Sequence, residues 1–138
     1  MNLRNYGFVR VGRWKLNKSN DKSNKSEIDF ELNDLDKERV IYAFVVGDKV
    51  KYIGICESSK TTLENRMIKF KNRQGGGTNK RIADKIKRCL KNGKTVEIFV
   101  LKPKLSVFYK GLVEIDIIIG LEYPLIKKLK PEWNIKKN

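Results

Sequence analysis

Apolar and polar residues change period along this chain, and the changes mark its elements. Residues 6 to 16, YGFVRVGRWKL, alternate loosely and carry aromatics, while residues 28 to 32, IDFEL, alternate cleanly; both are predicted as strands. The segment between them, NKSNDKSNKSE, is polar and low in complexity, and is read as a long solvated hairpin loop with a basic tilt. From Val40 to Gly54 the run VIYAFVVGDKVKYIG is apolar and β-branched on both sides of Gly47-Asp48, which predicts a β-hairpin. Thr61-Thr62-Leu63-Glu64 then fits a capping box, in which Thr and Glu satisfy free amides, and predicts a helix over 62–72.

Helical periodicity takes over in the second half. Leu63, Met67 and Phe70 share one face, and Arg66 lies on that same side, where an unpaired guanidinium would be costly. A second helix over Asn79 to Asn92 carries Ile82, Ala83, Ile86 and Leu90 on one face and stops at Gly93. The strand TVEIFVL, Thr95 to Leu101, follows. A last helix, starting between Ser106 and Leu112, carries a stripe through Ile115, Ile118, Ile119, Glu122, Ile126 and Leu129, so Glu122 takes a core-facing slot. Pro124 is expected to kink or restart that helix just after Glu122. Glu114 and Asp116 fall off the stripe and are read as solvated. Strands alternating with short helices predict one α+β domain, a small and mainly antiparallel sheet flanked by helices.

Charge narrows the function. The 138 residues carry 31 Lys+Arg against 16 Asp+Glu, a formal net charge of +15, and such self-repulsion points to a polyanionic partner, most plausibly nucleic acid. No long apolar run or basic amphipathic helix speaks for a membrane. With no His and two distant cysteines, Cys56 and Cys89, zinc modules and His-based acid/base catalysis are excluded. The absence of an apolar signal core leads to the expectation of reducing cytoplasm. Any chemistry must use Tyr, Lys, Arg or carboxylates.

Those residue types come in a telling order. Val40-Ile41-Tyr42 and Tyr52-Ile53-Gly54, then Arg66, Glu122 and Asn134, resemble the ordered motifs of the GIY-YIG nuclease superfamily over Val40 to Asn134. The stretches LENRM, GLEYPLIKKLKPEWN and YGFVRV are most similar to its bacteriophage and restriction endonucleases. The resemblance implies the GIY-YIG nuclease fold with an extra N-terminal β-hairpin: a single endonuclease domain over 1–138, with 1–38 as the extension and 39–138 as the catalytic core. It implies an endonuclease that depends on Mg²⁺ (or Mn²⁺), hydrolyses double-stranded DNA and leaves 5′-phosphate and 3′-hydroxyl ends, in a prokaryotic or phage-infected cell. Carried over residue by residue, it has Tyr42 and Tyr52 line the site, Arg66 serve as the essential arginine, Glu122 hold the metal and Asn134 support them. Arg10 stands for a basic residue that the N-terminal hairpin presents to the site, and Lys80 for an inter-helix lysine. The chain departs from the family pattern at Val40, at Ile55 after the second motif, and at Phe70, where members often have His or Tyr.

The residue types suit phosphodiester hydrolysis. One Glu can hold Mg²⁺, because that ion keeps several waters and shares substrate oxygens. Arg66 would grip the scissile phosphate through a planar donor fork. Tyr42 is expected to take the water's proton as a phenolate, its pKa lowered by metal and cations, while Tyr52 orients water or phosphate. A two-residue Gly47-Asp48 turn would put the two tyrosines on opposite faces, so a shared site needs a three-residue loop or a bulge near Val46 to Asp48, bringing Tyr42 opposite Tyr52. DNA contact is expected from the N-terminal hairpin and from Arg73, Lys80 and Arg81 in and after RQGGGTNKR. One site per chain implies a homo-dimer or tetramer for double-strand cutting. The alternative is a non-catalytic basic nucleic-acid-binding protein that keeps the fold; a homing-type or repair subunit is disfavoured by the chain's shortness.

Overall fold

Every residue of VIYAFVV is buried, which is why this run does not alternate: it is a strand covered on both faces. The computed structural model describes residues 3–17, 26–33, 38–58 and 60–135. A short 3-10 helix, Leu3–Tyr6, leads into β1 (Val9–Leu16), β2 (Ile28–Leu32), β3 (Val40–Val46) and β4 (Lys49–Cys56). Then come α1 (Leu63–Lys71), α2 (Gly77–Lys91), β5 (Val96–Leu101), β6 (Val107–Tyr109), β7 (Val113–Ile115) and α3 (Ile117–Leu129). Five antiparallel strands form one sheet in the order β2-β1-β5-β3-β4, and β6 and β7 form a separate hairpin. The fold is α+β, with helices on both faces of a mainly antiparallel sheet.

The two faces have separate cores. On one, Tyr42, Phe44 and Val46 of β3 pack with Leu63, Met67 and Phe70 of α1 and Ile82, Ala83 and Ile86 of α2. On the other, Ile41, Ala43 and Val45 pack with Leu3, Phe8 and, from α3, Ile118 and Leu125. β1 hydrogen-bonds to β5 inside the same sheet, and β2 extends it at the edge. Most of NKSNDKSNKSE lies outside the described residues; at its start Asn17 N donates to Glu27 O at 3.0 Å. Among the described residues no helix is long and apolar enough to cross a membrane.

Several helix expectations are corrected. The N-cap of α1 is Thr62, whose hydroxyl accepts from Asn65 N at 3.1 Å, so the Thr61/Glu64 box is not the one formed. The last helix does not begin before Leu112, since 107–115 form the β6-β7 hairpin and Asp116 caps α3 by accepting from Ile118 N and Ile119 N. Asp116 is therefore a capping residue, not a solvated acid. Pro124 does not restart α3, which runs through it; the carbonyl of Gly120, deprived of a donor, sits at an exposed position where water can serve it. The buried face of α3 is Ile118 and Leu125, with Ile119 half exposed, so the stripe is rotated from the expected one. Glu122, four after Ile118 and three before Leu125, sits half-buried on its flank.

Candidate active site

The hairpin bearing both tyrosines turns through two residues, Gly47 and Asp48, with Val46 paired to Lys49. The register then shifts by one between Phe44 and Val45, leaving Lys51 as the extra residue of a β-bulge, and Phe44 pairs with Tyr52 and Tyr42 with Gly54. The bulge thus lies on β4 at Lys51, not near Val46 to Asp48, and Tyr42 stands diagonal to Tyr52, not opposite it. Both rings share one sheet face, centroids 6.2 Å apart. The C-terminal segment holds the bulge in place: Trp133 N donates to Lys51 O at 2.7 Å, and Lys51 Nζ pairs with Glu132.

Gly54 is required by its neighbour. A Cβ at this position would lie 2.4 Å from the Tyr42 hydroxyl and 2.5 Å from its Cζ, so the Tyr42 ring occupies the space a side chain would fill. Tyr42 is fully buried, and Arg66 Nε donates to its hydroxyl at 3.1 Å. The Arg66 guanidinium also lies over the Phe70 ring, 5.0 Å from the centroid, so Phe70 presents a π face where family members often have His or Tyr.

Burial pushes the Tyr42 hydroxyl well above its usual value, and Tyr52 adds to this against the opposing pull of Arg66. Without a metal, burial outweighs the lowering that Arg66 exerts on Tyr42. Tyr52 is less enclosed, and burial raises it too, with Arg66 and Arg81 opposing and the Glu122 carboxylate adding to the rise. Tyr52 is therefore the point where Arg66, Glu122 and Arg81 meet electrostatically. Cys56 shares this core, its thiol pushed up by burial to about 11.

Asn134 faces the edge strand β4. Its amide nitrogen donates to Ile53 O and its amide oxygen accepts from Ile53 N, both at 2.9 Å, so it satisfies the exposed edge between Tyr52 and Gly54 as a strand would. Arg81 Nη1 donates to Trp133 O at 2.9 Å, tying α2 to the same C-terminal segment.

The other expected DNA contacts separate from this cluster. Lys80 is exposed on α2, and Arg73, at φ +58°, pairs with Asp84 at 2.6 Å. Arg10 is on the other side of the sheet: it registers opposite Phe99 and pairs with Glu97. The cause is a bulge between Arg10 and Gly12, without which Arg10 would stand opposite Val100 on the Tyr42 face. Sequence reasoning missed Gly54 as a space-maker, and it missed the Glu132-Trp133 segment, whose signal was an aromatic in a short tail after a proline.

As a metal site the residues fit a hard cation. Among the described residues no three His, Cys, Asp or Glu cluster, so no all-protein cage is available, and Cys56 is buried and protonated. Glu122 offers oxygen donors and acts electrostatically on Tyr52, which suits an ion that keeps waters and shares substrate oxygens, as Mg²⁺ and Mn²⁺ do.

Two tyrosines on one sheet face, an arginine bonded to one of them and a glutamate acting on the other are consistent with a GIY-YIG nuclease. No protein-family model and no curated protein matches the sequence. Among solved structures the chain is similar to DNA endonucleases. A mutant of bacteriophage T4 EndoII is 27% identical with a TM-score of 0.70, the match covering 96% of each chain. The restriction endonuclease HPY188I in complex with product DNA is 15% identical with a TM-score of 0.52, over 94% of this chain and 82% of that one, a likeness of fold alone. The chain resembles EndoII.

Proposed function

We propose that this chain is a Mg²⁺-dependent (or Mn²⁺-dependent) endonuclease that hydrolyses the phosphodiester backbone of double-stranded DNA, leaving 5′-phosphate and 3′-hydroxyl ends. The observation that carries the reading is the pair of tyrosines on one sheet face with Arg66 bonded to Tyr42, on a fold similar to EndoII. Residues 1–138 act as one endonuclease domain, with the N-terminal strands widening its sheet. Glu122 would hold the metal, which when bound neutralises phosphoryl charge and lowers the pKa of water.

The rest follows from the chain's own side chains. Arg66 grips the scissile phosphate with the guanidinium nitrogens left over from Tyr42, held flat on Phe70. Tyr42, buried and protonated, positions Arg66 and does not act as the base. Tyr52 accepts a hydrogen bond from the attacking water at Oη and orients it, and the proton that this water loses passes to bulk solvent. Asn134 keeps Tyr52 in register. Arg81, Lys80 and Arg73 supply positive charge to the DNA backbone, and Arg10, engaged by Glu97, is left out of the site.

Cutting both strands needs two sites, so the working form is a homo-dimer or tetramer. The β6-β7 hairpin supports this: Phe108, Tyr109, Leu112 and Val113 are all more than half exposed on a two-stranded sheet that, among the described residues, pairs with no other strand. Its charges, Lys110 and Glu114, cancel, so a second copy docks here without the repulsion of a +15 chain. Sedimentation of Leu112→Glu tests this, with a shift to monomer expected; an unchanged oligomer refutes that surface. The free Cys56 and Cys89 suit the cytoplasm of a prokaryotic or phage-infected cell.

The test is cleavage of supercoiled plasmid with Mg²⁺ or with EDTA, for wild type and Glu122→Ala. Wild type should cut only with metal, and folded Glu122→Ala should bind without cutting. A folded wild type that binds several DNAs and never cuts with any divalent metal would sink the proposal in favour of a non-catalytic basic nucleic-acid-binding protein.

A further inference from the structure

Arg39 has no part in the site, yet its side chain links three of the elements that build it. It precedes β3 at φ +51°, a left-handed conformation that a long L side chain rarely adopts. Nη1 donates to the carbonyl of Glu57, the residue after β4. Nη2 donates to Asp116 Oδ2 at 2.8 Å. The other oxygen of Asp116 accepts from Ile118 N and Ile119 N at 3.0 and 3.3 Å, closing the first turn of α3.

One guanidinium therefore joins the start of β3, the end of β4 and the first turn of α3. These carry, respectively, Tyr42, Tyr52 and Glu122. Glu122 lies six residues beyond Asp116, about 9 Å along the helix, so a shift of the capped end carries the carboxylate with it. α3 lies chiefly against β4, and Ile118 and Leu125 are its only fully buried residues. Leu121, Ile126 and Leu129 pack partly buried on the same core, and the Asp116 cap sets where the helix starts. The fork geometry of arginine suits the task, since lysine cannot bond a carbonyl and a carboxylate in one plane.

We propose that Arg39 is a positioning residue which, through Asp116, sets Glu122 against Tyr52. The inference rests on Glu122 being the metal-holding carboxylate of the proposed nuclease. It adds to that reading a specific device, a strained residue outside the site that fixes the metal ligand's distance from the phenol.

The test compares wild type, Arg39→Ala, Arg39→Lys and Asp116→Asn, with Glu122→Ala as reference. Asparagine is as good an N-cap as aspartate, so Asp116→Asn keeps the helix start and removes the charge. Two readouts are taken: binding of free Mn²⁺ by electron paramagnetic resonance without DNA, and the Mg²⁺ concentration that half-saturates plasmid cleavage. We expect Arg39→Ala to weaken both about tenfold, as losing a support of a metal ligand does. Arg39→Lys should fall nearly as far, Asp116→Asn less, and DNA binding in EDTA should hold. Adding methylguanidinium should restore Arg39→Ala in part. A purely structural role lowers the melting temperature and leaves metal half-saturation alone, and that result overturns the proposal. If Arg39→Ala does not fold, Arg39→Lys and Asp116→Asn decide by the same readouts. If wild type cuts nothing, the nuclease reading fails, while Mn²⁺ binding that is equal in wild type and variants separately overturns the role of Arg39.

Discussion

Replacing Gly54 with alanine adds one methyl group and tests the geometry of the tyrosine pair. The new Cβ would lie 2.4 Å from Tyr42 Oη, 2.5 Å from Cζ and 3.0 Å from Cε1, where ordinary contact begins at 3.4 Å. The phenol must retreat by about 1 Å, the difference between the ordinary and the imposed contact. It has nowhere to go: Tyr42 has no exposed surface and is enclosed by Phe44, Tyr52 and Phe70, ring centroids 5.5 to 6.2 Å away. Retreat also stretches the 3.1 Å bond from Arg66 towards its limit.

Overpacking a full core costs about 1–3 kcal/mol, and a hydrogen bond to a charged donor is worth about 1.5–3 kcal/mol. We expect Gly54→Ala to lose at least ~2 kcal/mol, or roughly 5–10 °C in melting temperature for a chain of this size. The urea midpoint, followed by tryptophan fluorescence, measures the loss. Tyr42→Phe removes the nearest clashing atom and leaves Cζ, so the double variant should cost about 1 kcal/mol less than the sum of the singles. A Gly54→Ala protein within about 0.5 kcal/mol of wild type, or strict additivity in the cycle, would refute the packing of Tyr42 against the second motif.

Three further outcomes are expected. Because the folded Tyr42 pKa lies well above 10.0, the unfolded chain sheds a proton above pH 10 that the folded chain keeps, so stability is complete below pH 10 and falls as pH rises beyond it. Urea midpoints at pH 8 to 11 check this, and Tyr42→Phe should flatten the alkaline decline. Asn134→Asp retains an acceptor for Ile53 N but sets an oxygen against Ile53 O, so it should lose as much cleavage as Asn134→Ala, with faster hydrogen exchange at the Ile53 amide; wild-type rates in the Asp variant would contradict the clamp. Cys56, buried with its thiol pushed up to about 11, should react with a disulfide reagent far more slowly than Cys89 in the native protein and equally fast in urea.

The sequence exposed some parts of this arrangement and hid others, for physical reasons. The five strands of the main sheet and the first two helices were legible, because burial on one or two faces writes a period into the residues. Arg66 and Glu122 were legible as polar residues in apolar company. The bulge at Lys51 was not, since it depends on Trp133 and Glu132 reaching back across more than eighty residues. The side of the sheet taken by Arg10 was hidden for the same reason: a bulge at Val11 inverts every residue before it, and nothing local announces one. VEIDIII reads equally well as helix or strand, and only Asp116 followed by an apolar run marked where α3 starts.

The two tyrosines divide their work by burial. Tyr42 lies beneath Arg66 and lends it an acceptor; Tyr52 lies where the arginines and Glu122 converge. Burial raises the pKa of Tyr42, Tyr52 and Cys56 alike, so at neutral pH the proton-bearing groups around Arg66 stay neutral. The charges left are those of Arg66 and Arg81, always protonated, against the single carboxylate of Glu122. The metal proposed at Glu122 would add to that positive surplus, which suits the negative charge of a phosphodiester. A tyrosinate within this core would cancel the surplus and repel the phosphate, so keeping both phenols protonated serves binding, and the Phe70 face holds Arg66 in place without adding a competing charge.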